Sequence, residues 1–326
     1  LGSTVAATAT ASAGRGPAPA FALGTMPEVK DLPRVATKAV IRTDRPESLT
    51  QFLTLGLGMK ILRARVVGGK SVVSVGYGPE ELKVPKDFVP GITSFMGYGA
   101  HFSLELVSPV SAGNGGAAGM VVAEGVNGGS NGGETFVAGD GLAYIQVGVP
   151  QFRLSKLIEN GGEIISAYGF TKVAAPGGLV MQVILGDQVR DPFMFAALNV
   201  RDIKATEAYY AKLGMRRCKL PRARVAEVSP FEPPQPKDSV YMSFSDDSFG
   251  LLLLPIPTVK GKKRPPVVGN VFSELAILTE NVSAGAADIG AVESTSGAVG
   301  SAVGKDPDGY RISLLEYADF VKEQGS

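Results

Sequence analysis

One cysteine and one histidine are all that this 326-residue sequence contains of either type. With Cys218 alone, no disulfide can close within the chain and no multi-cysteine metal site can form. A small residue filling a strand is the ordinary reading of such a cysteine. With His101 alone, one chain can assemble neither a three-histidine zinc site nor a two-histidine-one-carboxylate iron site, and a Ser-His-Asp triad would have to use His101. No apolar run approaches the ~20 residues needed to span a bilayer. Neither sign of charge prevails: 32 Lys+Arg stand against 31 Asp+Glu. Electrostatics therefore give no reason to expect nucleic acid or an anionic membrane as partner.

What is present is a repeat and enough apolar material to bury it. The sequence is 44% hydrophobic, ample for a sizeable core and suggestive of two domains. Leu57-Gly58-Met59-Lys60 returns as Leu213-Gly214-Met215-Arg216, an offset of 213 − 57 = 156 residues. Each copy closes an expected helix, Glu47 to Leu55 and Asp202 to Lys212. The glycine can take the left-handed conformation that ends a helix, and an apolar residue plus a cation start the next strand. An internal repeat of this kind governs the reading of the whole fold.

In chain order, residues 1–22 are rich in Ala, Ser, Thr and Gly and contain no acidic residue. They fit either the tail of an organelle transit peptide, with Ala20-Phe21-Ala22 as a cleavage-like site, or a flexible tail with no address. A first module follows: strand Lys38 to Thr43, the helix, strand Lys60 to Val67, a Gly68-Gly69 turn, strand Ser71 to Val75, a long loop and strand His101 to Val107. On that last strand His101, Ser103 and Glu105 point one way and Phe102, Leu104 and Leu106 the other. Polar groups on one face of an apolar strand suggest that it lines a cavity. Residues 108–141, rich in Gly, Ala and Asn, read as a flexible insertion, with order expected only around Met120-Val121-Val122.

A second module has strand Leu142 to Val147, helix Phe152 to Glu159 stopped by Gly161-Gly162, strand Glu163 to Ala167 and strand Leu179 to Leu185. The third runs from Phe193 through the second Leu-Gly-Met to strand Gly250 to Leu254, interrupted by a loop at Pro233-Pro234-Gln235-Pro236. Lys260-Gly261-Lys262-Lys263-Arg264 reads as a solvated linker, with a phosphate or acidic-partner contact as the alternative. The fourth has strand Glu274 to Leu278, a short helix around Ala284 to Ile289, the turn Asp306-Pro307-Asp308-Gly309 and strand Tyr310 to Glu316. The expected organisation is a tail over 1–35, a first domain over 36–186 and a second over 187–326.

These modules resemble the vicinal oxygen chelate superfamily, and within it the two-domain plant-type glyoxalase I. The resemblance rests on Val40-Ile41-Arg42, Leu57-Gly58-Met59-Lys60, Gly76-Tyr77-Gly78-Pro79-Glu80, Leu104-Glu105-Leu106 and Gly161-Gly162. Asp306-Pro307-Asp308-Gly309-Tyr310 and the ending Asp319-Phe320-Val321-Lys322-Glu323 complete it, over about residues 36–323. It implies an α+β fold of four βαβββ modules paired into two domains; fold alone does not give function. It also implies lactoylglutathione lyase activity: isomerisation of the methylglyoxal–glutathione hemithioacetal by proton transfer at one divalent metal, usually nickel or zinc. A His or Gln from a module's first strand and a Glu from its last, drawn from two modules, hold that metal in the family.

Carried over residue by residue, the ligand positions are occupied otherwise here. Lys38 stands at the His position of module one, where the Glu is kept as Glu105. Module two has Tyr144 and Gln182; module three has Met194 or Phe195 and a leucine near Leu252; module four has Glu274 and Ser313. If modules pair one with four and two with three, one set is Lys38, Glu105, Glu274 and Ser313. The other set cannot hold a dication. A metal in the first set would be pressed against an ammonium, so the expectation is that Lys38 replaces it and pairs with Glu105 or Glu274. His101 cannot join Glu105 on one ion, because four strand residues span ~13 Å; it is expected to be a hydrogen-bonded residue at a strand end. Arg42 matches the strand-one arginine that contacts glutathione carboxylates in the family, or else makes a surface or interdomain salt bridge. The overall expectation is a glyoxalase-like protein that has lost its metal ligands, with no cofactor. It would be a binding or structural subunit of a plastid complex in stroma or thylakoid lumen, contacting protein partners or a glutathione-like molecule. The alternative is an active lactoylglutathione lyase with Glu105 and Glu274 as ligands or as acid and base.

Overall fold

A computed structural model describes residues 34–78, 101–109, 136–137, 139–167, 170–185, 191–220, 235–246, 248–256, 264–290, 292–293, 301–317 and 319–320. The tail over 1–33, Pro79-Glu80, most of the Gly-rich insertion with Met120-Val121-Val122, Pro233-Pro234, the run 260–263 and the ending 321–323 lie outside these residues.

Each module is built from four strands and one helix. The first has β1 (Val35–Arg42), α1 (Pro46–Gln51) continued by a π-helical turn (Phe52–Gly56), β2 (Lys60–Val67), β3 (Lys70–Gly76) and β4 (Ser103–Pro109). The second has β5 (Leu142–Val149), α2 (Arg153–Glu159), β6 (Glu163–Ala167), β7 (Thr171–Ala174) and β8 (Val180–Leu185). The third has β9 (Phe193–Val200), α3 (Ile203–Lys212), β10 (Arg216–Arg217), β11 (Val240–Ser243) and β12 (Gly250–Pro255). The fourth has β13 (Phe272–Thr279), α4 (Val282–Ile289), β14 (Val292–Glu293), β15 (Ser301–Lys305) and β16 (Arg311–Glu316).

Local chemistry sets the helix ends. Pro46 occupies an early helical position, where its missing N–H is of no consequence. The Asp202 carboxylate caps α3 by accepting from the N–H groups of Lys204 and Ala205. Both repeat glycines are left-handed, Gly58 at φ 83° and Gly214 at φ 90°, and Leu57, Met59, Leu213 and Met215 beside them are buried. The repeat is thus a helix stop between two core anchors.

The strands form two eight-stranded sheets, in the orders β14-β15-β16-β13-β1-β4-β3-β2 and β10-β11-β12-β9-β5-β8-β7-β6. Module one therefore shares a sheet with module four, and module two with module three, so each half of the sequence contributes to both sheets. Within a module the first and last strands run parallel, as β1 and β4 do; the module junctions β1–β13 and β5–β9 are antiparallel. The helix-covered faces carry one continuous core with residues from all four modules. At its centre Phe102 of module one stacks on Phe249 of module three, and Phe193 packs edge-on against both rings.

Two buried carboxyl groups tie the sheets together. Asp191 accepts the Phe102 N–H from the first sheet and the Phe193 N–H from the second. Asp306 accepts from Tyr210 O–H at 3.0 Å while holding its own turn through the Asp308 and Tyr310 N–H groups. Asp308 takes the Arg201 N–H and the Thr206 hydroxyl, and Tyr310 O–H reaches the Asn199 carbonyl. The Asp306-Pro307-Asp308-Gly309-Tyr310 turn is thus a clamp from module four onto module three.

Burial pushes Asp191 up to about 7 and Asp306 up to about 6. A raised carboxyl favours folding most at low pH, and that contribution is lost as pH climbs toward the folded value. Unfolding free energy is expected to fall between about pH 4 and 7. Asp191 accounts for roughly 4 kcal/mol of that at most, and Asp191→Asn is expected to flatten the slope in urea melts at stepped pH.

Candidate functional site

Sheet register places the polar residues of module one and module four on the face opposite the core. Val40 lies beside Glu105 on β4 and opposite Glu274 on β13. Ser74 faces Glu105 on the other side, and Arg63 faces Ser74. One row of the floor therefore reads Arg63, Ser74, Glu105, Val40, Glu274. The adjoining row brings Ser103, Lys38, Ala276 and Ser313 together. The alternation read on β4 is borne out, since Phe102, Leu104 and Leu106 turn into the core.

Lys38 and Glu105 form an ion pair, Nζ to Oε2 at 2.7 Å, with only 6% and 11% of the side chains exposed. Arg65 approaches the same oxygen at 3.5 Å. Glu274 pairs with Arg311, at 3.4 Å, rather than with the ammonium. Ser313 Oγ is buried without a hydrogen-bond partner, and Arg63 donates to Ser74 Oγ at 3.5 Å. Arg42 follows Lys38 and Val40 on the same side of β1, opposite Val107. Of the two pairings open to Lys38, the structure has the one with Glu105.

His101 lies just before β4, not on it. Its imidazole packs against the backbone of Gly78, where any Cβ would overlap it, and burial lowers its pKa. Nδ1 is buried without a hydrogen-bond partner, against the expectation of a hydrogen-bonded residue, and the Gly78 backbone lies against that edge of the ring. Sequence reading also missed Arg65 and Arg311. The signal for Arg65 was available, as Arg63 and Arg65 alternate on β2; Arg311 becomes visible only once β16 is set beside β13.

The equivalent face of the second sheet is filled. Gln146 sits opposite Phe195 and beside Gln182, and Tyr144 opposite Ala197. This register gives Phe195, not Met194, the first-strand position of module three, because a bulge intervenes. Tyr144, Phe195, Tyr241 and Leu252 belong to one buried cluster. Gln182 donates to Gln146 at 2.8 Å, Gln146 to Met194 Sδ at 3.3 Å, and Lys172 lies 4.5 Å above the Tyr144 ring. The small Cys218 packs at the margin of this cluster. Among the described residues no group of three or more His, Cys, Asp or Glu could hold a metal ion, and no helix is long and apolar enough to cross a membrane.

Two sheets, each made of two βαβββ modules with a cup opposite the shared core, match solved structures of glyoxalase I from Zea mays. The wild-type enzyme superposes with a TM-score of 0.65 over 89% of this chain and 95% of that one, at 18% identity. A point variant of it gives 0.66 with the same coverage and identity. This chain has the two-domain glyoxalase I fold. No protein-family model matches the sequence, and no curated protein sequence matches it significantly. The sheet face opposite the core is thus present twice here, polar in the first sheet and packed with side chains in the second.

Removing one partner of a buried ion pair costs about 3–5 kcal/mol where the other charge is left uncompensated; here Arg65 remains 3.5 Å from Glu105, which puts the cost at the low end. Lys38→Met is expected to destabilise by about 3 kcal/mol in denaturant melts. The Lys38→Met/Glu105→Leu double variant is expected to recover most of that loss. A single variant with wild-type stability would mean that water reaches the pair.

Proposed function

We propose that this chain is a glyoxalase-fold protein without a working metal centre, serving as a non-catalytic binding or structural subunit in a plastid complex. The single observation carrying this reading is the Lys38 ammonium at 2.7 Å from Glu105 in the buried floor. Nickel or zinc needs lone pairs from four or more donors. Lys38 offers none while protonated, and it claims the carboxylate that a metal would use. Glu274 is engaged by Arg311, and Ser313 brings only a neutral hydroxyl. The donor set does not fit a divalent ion.

What the cup can do is hold shape and bind. The ion pair spans β1 and β4 and keeps the floor polar, and Arg42 on the same side of β1 suits the carboxylate of a glutathione-like molecule. The Ala-, Ser- and Thr-rich residues 1–22 support a plastid address. The competing reading, an active lactoylglutathione lyase, draws on Glu105 and Glu274 flanking Val40 in one row. Two opposed carboxylates could serve as acid and base if one held its proton.

Purified without chelators, the protein is expected to carry far less than stoichiometric nickel or zinc by elemental analysis. It is also expected to leave the methylglyoxal–glutathione hemithioacetal unchanged with either metal added, and to elute from native extract in a stable larger assembly. Near-stoichiometric metal that vanishes in Glu105→Ala, accompanied by turnover, would overturn the reading in favour of the enzyme.

A further inference from the structure

Among the described residues the exposed large apolar side chains are concentrated on modules one and two. Of the ten large ones exposed among the described residues, eight lie on modules one and two: Leu55 on the π-helical turn, three on β2, Phe152 and Ile158 at α2, and two on β6. The remaining two are Val137 and Val267. The π-helical turn and α2 adjoin, since Arg153 donates to the Leu55 carbonyl and Gly56 rests against Leu157.

Within this surface β2 is the outermost strand of the first sheet, and no described strand pairs with its free edge. From Arg63 to Val67 its register with β3 is regular, so five residues present an unbroken ladder of the kind that extended peptides join. Proteins ordinarily protect such an edge; here Val66 is 70% exposed and Val67 54%, and no proline stands between residues 60 and 70.

The two sides of β2 differ in chemistry. Arg63 faces Ser74 and Arg65 faces Val72, on the cup side, while Ile61 faces Val75 and Ala64 faces Val73, on the core side with Val66. Lys60, Arg63, Arg65 and Lys70 are the charged residues of 60–70, and none is acidic. Arg65 reaches Glu105 yet stays 30% exposed. A strand laid along this edge would meet cations on one side and apolar groups on the other, alternating residue by residue. A second copy of β2 paired antiparallel about Ala64 would set Arg63 directly against Arg65, and like charges directly opposed are destabilising.

We propose that the free edge of β2 takes up an extended segment of another protein in which acidic and apolar residues alternate. The acids would lie beside Lys60 and the exposed part of Arg65, and the apolar residues beside Ile61, Ala64 and Val66. This rests on the reading of the chain as a binding subunit and names the chemistry of its partner. It fails separately from that reading, because the metal and turnover assays interrogate the cup and leave the edge alone.

The test uses the full chain and a synthetic peptide of alternating Val and Glu, with a block-ordered peptide of the same composition and an alternating Val/Lys peptide as comparisons. The alternating acidic peptide is expected to bind at least about tenfold more tightly than either, a difference of about 1.4 kcal/mol. Val66→Asp, at a position exposed enough to preserve the fold, is expected to weaken binding by about tenfold or more. Ile165→Asp on β6 is expected to leave it unchanged, and Lys60→Glu to weaken it and reduce its salt dependence. No binding, equal binding of the block-ordered peptide, or indifference to Val66→Asp would overturn the proposal. A dimer of the protein itself that Val66→Asp abolishes would overturn the choice of occupant.

Discussion

The antiparallel junction of β1 with β13 is the constraint on which the polar cup depends. Side chains on paired strands must alternate between faces, and the registered run from Lys38–Ala276 to Val40–Glu274, bounded by a register shift at each end, sets the phase of the residues at the site. Lys38, Arg42 and Glu274 turn to the cup while Ala39 and Ile41 turn to the core. The parallel β1–β4 and β13–β16 pairs carry the same phase outward to Glu105 and Ser313. Residues separated by more than 200 positions thereby share one floor. A one-residue slip at the junction would put charged groups into the core, so the hydrophobic pattern itself protects the geometry of the site.

The second sheet repeats this architecture with different chemistry. Its junction aligns Tyr144 with Ala197 and Gln146 with Phe195, and the face fills with aromatic and aliphatic groups around a buried, uncharged Gln182–Gln146 pair. An apolar cup stabilises by burial alone, whereas a polar cup needs each charge answered by another. The first sheet meets that need with Lys38 and Arg65 on Glu105 and with Arg311 on Glu274. The same scaffold thus holds one cup as packing and one as a charge network. Between the sheets, stacked aromatics and two bridging aspartates make the halves a single body; burying those carboxyls couples the seam to pH.

Much of the architecture was legible from local pattern. The Leu-Gly-Met repeat placed two helix ends because Gly58 and Gly214 adopt a conformation that other residues resist. The alternation of Phe102, Leu104 and Leu106 against Ser103 and Glu105 gave the two faces of β4 in advance. The short strands β7 and β15 escaped detection, since four or five residues including Gly304, Ala174 and Ala302 carry too little periodicity to register. The pattern after Pro46 reads as a helix, but not as one ending in a five-residue π-helical turn. Nothing local distinguishes that geometry from a continued α-helix; packing against α2 accompanies it.

By itself, then, the sequence determined the modules, their helix stops and the identities of the side chains available to the cup, because these follow from backbone conformational limits and from alternation along single strands. Only the tertiary structure decided that Lys38 takes Glu105 while Glu274 goes to Arg311, that Phe195 rather than Met194 faces the second cup, and that the Asp306 turn clamps a neighbouring module. Those outcomes depend on register, bulges and the approach of distant strands, and the energies that settle them arise between residues far apart in the chain.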